Sequence, residues 1–112
     1  MIETIQVGKL FFSLNNNPVA DEGCLGIMVR KDHNGFVMQN SIIVVWDNDK
    51  FSEYLERDLG QELELTNSST DFVRNIDYSC DKKITECIKS GFFKKLFIQL
   101  KTGTNITRLE SE

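Results

Sequence analysis

The chain has 112 residues, of which 40% are hydrophobic and 10% aromatic, and this is enough apolar material for one packed core. The formal net charge of -4 and the isoelectric point near 5.0 argue against nucleic-acid binding, because neutralising phosphates requires a basic surface. Residues Met1–Gln6 lack the cationic start of a secretory signal, and no apolar run approaches the length of a membrane span. We therefore expect a single domain, residues 1–112, located in the cytoplasm and not bound to a membrane.

Three cysteines, Cys24, Cys80 and Cys87, are an odd number at wide spacings. A disulfide-stabilised small domain would have a denser, even set, and a zinc site would need four closely spaced ligands. We expect three free thiols and no metal or other cofactor.

The N-terminal stretch Thr4–Leu14 has the alternation of a β-strand, with a change of parity at Gly8 and Lys9. Such a slip is typical of a β-bulge. The following Asn-rich residues 15–18 predict a loop.

The clearest turn signal is Asn34-Gly35, between two strand-like runs. A two-residue type I′ turn there predicts a hairpin of residues 24–31 with 36–46, a positive φ at Gly35, and pairing of Ile27 with Ile42 and of Leu25 with Val44. The continuous apolar run 42–46 predicts a central strand with helices on it. Its Trp46 could belong to the core or to a contact surface.

Further along, Phe51, Tyr54, Leu55 and Leu59 recur at helical spacing before Gly60, so residues 51–59 predict an amphipathic helix. The alternation of residues 62–66 predicts a short edge strand. Residues 72–78 suit either a short helix or irregular structure, and helix is preferred.

A second helix is predicted from Asp81 to Gly91, with Ile84, Cys87 and Ile88 buried. Residues 92–100 predict a strand with Leu96, Ile98 and Leu100 pointing inward, and residues 106–109 a last short strand before a frayed tail at 110–112. These elements predict an α+β domain: a mainly antiparallel, twisted sheet of five or six strands with two or three helices packed on it.

No motif indicates catalysis. His33 is the single histidine and falls at the predicted hairpin tip, where nothing would orient an imidazole. The glycines form no phosphate-binding loop. The acids near Asp49 lack the spacing of an EF-hand and suit helix capping instead. We expect a protein that is not an enzyme.

Charge is unevenly distributed along the chain. Residues 47–64 hold seven acids against Lys50 and Arg57, a net charge of -5, whereas residues 82–101 hold six lysines against Glu86, a net charge of +5. The acids form either a solvated surface or a docking site for a basic partner. The candidate partner-binding residues are Asp47, Asp49, Glu53, Glu56, Asp58, Glu62 and Glu64.

In size, charge and organisation, the chain resembles the immunity proteins of bacterial toxin systems, with those of contact-dependent growth inhibition and the colicin immunity proteins as the nearest groups. The resemblance implies a protein that binds a cognate toxin domain, often a basic nuclease, and blocks its active site with acidic side chains in place of phosphates. Another interaction module, such as an adaptor or phage-encoded binder, and a small enzyme or ligand-binding domain remain alternatives.

Overall fold

The computed structural model describes residues 2–103 and 105–109. Five strands form one antiparallel sheet in the order β4-β3-β2-β1-β5. The strands are β1 (Lys9–Ser13), β2 (Leu25–Asn34), β3 (Gln39–Trp46), β4 (Phe51–Leu55) and β5 (Leu63–Ser69), and the helices are α1 (Asp81–Lys89) and α2 (Phe92–Gly103). Short 3-10 helices span Ile2–Thr4 and Glu56–Asp58. The predicted α+β class, with its antiparallel sheet and two helices, is confirmed.

The sheet is covered on both faces, as the apolar run 42–46 predicts. On the face that we call the helical face, β1, β2 and β3 bury side chains against both helices, Val73 and Tyr78. On the other, which we call the loop face, a second cluster packs under the N-terminal residues and the loop around Ala20. Trp46 belongs to this second cluster and is fully buried, so it is core. The expectation that helices cover this strand holds for one face only.

The β2–β3 hairpin forms, but its turn and register differ from the prediction. Asn34 pairs with Gln39, so the loop has four residues, 35–38, and Ile27 pairs with Val45 instead of Ile42. Within the loop it is Met38, not Gly35, that has a positive φ, of 54°. The side chain of Asn34 supplies the reason, because its Oδ1 accepts the backbone N–H groups of Phe36 and Val37 and so closes a wider Asx turn.

The helix predicted over residues 51–59 is wrong. Strand β4 lies here, with Phe51 on the helical face and Tyr54 on the loop face. A single 3-10 turn then follows, and Asp58 Oδ2 accepts the Leu55 N–H at 2.8 Å. Side chains three residues apart lie on one side of a helix but on opposite sides of a strand. Here each side of the strand contributes an aromatic side chain to one of the two hydrophobic clusters.

The strand predicted over residues 92–100 is also wrong, because this stretch belongs to α2. Its buried residues Phe93, Leu96, Phe97 and Leu100 follow the helical period, and Ile98, which was predicted to point inward, is exposed. The weakly preferred helix at 72–78 is absent, since the chain there makes only turns and bends. Helix α1 is confirmed, with Gly91 at a φ of 87° just beyond its end. Of the three residues predicted to be buried, Ile84 is buried, whereas Cys87 and Ile88 are half-buried against the same cluster.

Edge strand β5 confirms the strand predicted over residues 62–66 and extends it to Ser69. The predicted N-terminal strand is shorter than expected, because β1 begins only at Lys9. The bulge predicted at Gly8 and Lys9 is misplaced: the register of β1 on β5 shifts between Lys9 and Phe11, and the extra residues belong to β5. Of the last predicted strand only a bridge between Arg108 and Thr66 forms. The tail, 110–112, lies outside the described residues.

Candidate functional site

The seven candidate acids do not share one helix surface, because the helix that would have carried them is absent. Asp47 and Asp49 lie in the β3–β4 turn, and Glu53 lies on β4 at one edge of the sheet. Glu64 lies on β5 at the other edge. Four strand spacings of roughly 4.8 Å separate these edges by about 19 Å, so the seven carboxylates form several sites.

Glu53 has a structural role at the base of the β2–β3 hairpin. Its Oε2 accepts a hydrogen bond from the Ser41 hydroxyl at 2.6 Å, and its Oε1 accepts one from Asn34 Nδ2 at 2.9 Å. Ser41 is buried, so this carboxylate satisfies a hydroxyl group that has left solvent. Glu53 thereby fixes the position of the hairpin relative to β4.

Asp47 is held in a contact with the end of α2. Its Oδ2 forms a salt bridge with Lys101, and its Oδ1 accepts a hydrogen bond from Cys24 Sγ at 2.6 Å. Burial raises the pKa of Cys24 to about 12, and the hydrogen bond to the negative Asp47 adds to this rise. Cys24 therefore stays a thiol at neutral pH and lacks the character of a nucleophile.

Asp58 and Glu64 also have partners within the chain. Asp58 caps the Leu55 N–H, and Glu64 Oε1 lies 2.7 Å from Arg108 Nε. The Arg108 contact joins β5 to the segment that follows α2, which also donates the Leu109 N–H to the Leu65 carbonyl. These contacts fix Leu55 and Glu64, the residues that flank the connection between β4 and β5.

Residues 56–62, which we call the crossing segment, connect the two edges of the sheet and carry Glu56, Asp58 and Glu62. Glu56 Oε2 accepts the Ile2 N–H at 2.7 Å, which places the segment beside the N-terminal residues of the loop face. Burial raises the pKa of Tyr54, a loop-face residue, and the nearby negative charges of Glu62 and Asp58 add to the rise. Three carboxylates thus lie along the loop face.

The positive charge lies on the opposite side of the sheet. Residues 81–103, which hold α1 and α2, carry six lysines against two acids, whereas the crossing segment carries three acids against Arg57. Both helices pack on the helical face. The fold therefore separates a cationic helical layer from carboxylates on the loop face, and the linear charge pattern alone does not determine that separation.

The exposed apolar tip of the hairpin was missed by the sequence analysis. Phe36 is 101% exposed and Met38 is 73% exposed, with Val37 between them also exposed. The signal was present as three consecutive apolar residues after a turn dipeptide, but Phe36 was assigned to the start of a strand. We call residues 36–38 the apolar tip.

His33 lies on the ribbon just below the apolar tip, exposed to solvent. It borders an open depression whose other walls include Glu3, Met38 and Glu56. Across residues 2–103 and 105–109, no three histidine, cysteine or acidic side chains converge as metal ligands would. Over the same ranges, no helix has the length and apolar character needed to span a bilayer.

Comparisons with known proteins give no relative for this chain. No protein-family model, no curated protein and no solved structure matches it.

Proposed function

We propose that this protein neutralises a cognate toxin, a basic nuclease domain, by tight protein–protein binding in the cytoplasm. The observation that carries the proposal is the separation of charge across the sheet. Carboxylates of the crossing segment lie on the loop face, and the lysines of α1 and α2 belong to the helical layer. A basic substrate groove would be attracted to the loop face and repelled by the helices, which orients the encounter.

Of the seven predicted acids, we assign Glu56, Asp58 and Glu62 to this interface. They lie on one continuous segment, and their charges can stand in for the phosphates of a nucleic acid in the groove of the toxin. Asp47, Glu53 and Glu64 lie outside this segment, in the β3–β4 turn and on the two edge strands of the sheet. Partner contact by these three and by the exposed Asp49 stays a prediction.

The test begins with capture of the partner by the wild-type chain from cells that make it, followed by purification of that partner and an assay of its nuclease activity. We expect stoichiometric wild-type chain to abolish the activity. A captured protein whose activity is unchanged, or which has none, would contradict neutralisation and favour the alternative of an adaptor or phage-encoded binder.

Two variants with the same change in net charge then test the face. E56Q/D58N/E62Q removes the loop-face charges and keeps their hydrogen-bond acceptors, and D71N/D77N/E86Q removes three acids elsewhere. We expect the first variant to associate roughly tenfold more slowly at low salt, with a weaker salt dependence, and the second to associate like wild type. Equal association rates for the two variants would contradict a role of the loop face in the interface.

A further inference from the structure

We propose that the apolar tip, residues 36–38, is the anchor of a protein–protein interface and inserts into an apolar pocket whose rim carries lysine or arginine side chains. This inference rests on the proposed function, because it names the chemistry of the surface that the same partner presents. The hairpin loop, which Asn34 closes with two hydrogen bonds, carries exposed apolar side chains, and acidic side chains lie on both sides of the ribbon below it.

The tip stands beyond the rest of the sheet. Strand β1 pairs with β2 only as far as Ile27, and β4 pairs with β3 only as far as Ser41. The pairs of His33 with Asn40 and of Asn34 with Gln39 therefore form a two-stranded ribbon, and no third strand from the described residues pairs with it. Side chains on the loop at its end can enter a concave surface that the sheet itself could not reach.

The loop is held in one shape by hydrogen bonds. Asn34 Oδ1 accepts the N–H groups of Phe36 and Val37 at 2.9 and 3.2 Å, and Asn34 Nδ2 donates to Glu53. Less conformational entropy is lost when such a loop binds, because its backbone is already ordered. A large aromatic side chain on a preorganised loop has the properties of a binding hot spot.

The surroundings of the tip define the charge of its partner. Asp32 and Glu53 lie on one side of the ribbon, and Glu3 and Glu56 lie on the other. Two cations share these surroundings, since Arg30 lies 3.0 Å from Asp32 and 3.3 Å from Asp81, and Lys31 Nζ donates to the Glu3 carbonyl. The four acids outnumber these two cations. An apolar anchor on a ribbon whose base carries more acids than cations is complementary to an apolar pocket with a cationic rim.

The same carboxylates argue against two other binding partners of the apolar tip. The anionic surface of a bilayer would repel these carboxylates. A second copy of this chain would bring like charges together around the two tips. Both are outcomes that the experiment can detect.

The probe is an amphipathic helical peptide made only of leucine and lysine, with a matched peptide in which alanine replaces leucine. Binding is followed by fluorescence anisotropy of the labelled peptide at physiological salt. We expect the Leu/Lys peptide to bind wild type roughly tenfold more tightly than the Ala/Lys peptide does, because a fully desolvated anchor dominates such contacts.

Phe36→Ala should weaken binding of the Leu/Lys peptide by roughly tenfold. Met38→Asn should weaken it less, while keeping a residue that tolerates the φ of 54°. Phe72→Ala is the matched control, since Phe72 is also exposed, at 67%, but lies in the loop after β5. The control should bind like wild type.

Equal affinity for the two peptides, or no effect of Phe36→Ala, would overturn the anchor. Binding to phosphatidylcholine vesicles that requires Phe36 would assign the tip to a membrane instead, and dimerisation that requires Phe36 would assign it to a second copy. The proposed function fails separately. Peptide binding that requires Phe36, without neutralisation of any toxin, would support the anchor and contradict the proposed function. Full neutralisation of the toxin by the Phe36→Ala variant would support the proposed function and contradict the anchor.

Discussion

Cys24 shows how one neighbour determines the chemistry of a side chain. Its thiol lies half-buried and donates to Asp47, which Lys101 also contacts. Both burial and the negative Asp47 favour the neutral thiol, so the pKa rises from 9.0 to about 12. Cys80, by contrast, is exposed.

This difference predicts a pH dependence of stability. The folded chain holds the Cys24 proton more tightly than the unfolded chain, so the resulting stabilisation is complete below pH 9 and is lost as the pH rises from 9 to about 12. Cys24→Ala removes this contribution, so in that window the unfolding free energy of the variant should fall less steeply with pH than that of wild type. The two slopes should differ by at most about 1.4 kcal/mol per pH unit, the value for one proton. Urea titrations at several pH values measure this slope.

Cys80→Ala is the control for this experiment, because it removes an exposed thiol and leaves the Cys24–Asp47 contact in place. Tyr54 and Tyr78 also have raised pKa values because both are buried, but they contribute equally to both variants. A Cys24→Ala slope identical to wild type would contradict the assignment.

At the scale of elements, the register of β2 on β3 depends on a close approach at Gly26. Gly26 pairs with Trp46, and a Cβ atom at Gly26 would lie 2.6 Å from Val44 Cγ1 and 2.7 Å from Trp46 Cε3. Both neighbours are fully buried. The Trp46 indole and the Val44 side chain can therefore occupy these positions only because residue 26 has no side chain.

We expect Gly26→Ala to lower the unfolding free energy by about 1–3 kcal/mol, the usual cost of overpacking a core. Gly35→Ala is the matched control, because a Cβ at Gly35 meets nothing within 4 Å and the residue has no positive φ. Chemical denaturation of both variants measures the difference. Equal stabilities would mean that Trp46 does not pack against Gly26.

At the scale of the whole molecule, two hydrophobic clusters lie on opposite faces of the same strands. Leu10, Ile27 and Val45 face the helices, while Phe11, Met28 and Val44 face the loops. Losing either cluster exposes the strands that support the other. This coupling predicts one cooperative unfolding transition.

Trp46 fluorescence reports the loop face, and far-UV circular dichroism reports the helices, so the two denaturation curves should coincide. Ile84→Ala, a change in the helical-face cluster, should destabilise the protein by about 2–5 kcal/mol and shift both curves equally. Loss of the helical signal before the Trp46 signal would show that the two faces unfold separately.

The sequence alone determined those parts of the fold that have a single physical solution. The run 42–46 had to be buried on both faces, and α1 has a helical period and a glycine stop at Gly91. The α+β class was predicted correctly because the hairpin of neighbouring strands and helix α1 are both real, although the types of the elements at 51–59 and 92–100 were exchanged. The net charges of residues 47–64 and 82–101 were equally evident.

Only the tertiary structure decided between helix and strand at 51–59 and 92–100, because both spacings place apolar residues where either element can bury them. In strand Phe51–Leu55, side chains pack into clusters on both faces of the sheet. In helix Phe92–Gly103, the buried side chains all pack on one face. The strand order also places Glu53 and Glu64 at opposite edges of the sheet. The strand order therefore decides which carboxylates lie close enough to act together, because β4 and β5 are consecutive along the chain but lie at opposite edges of the sheet.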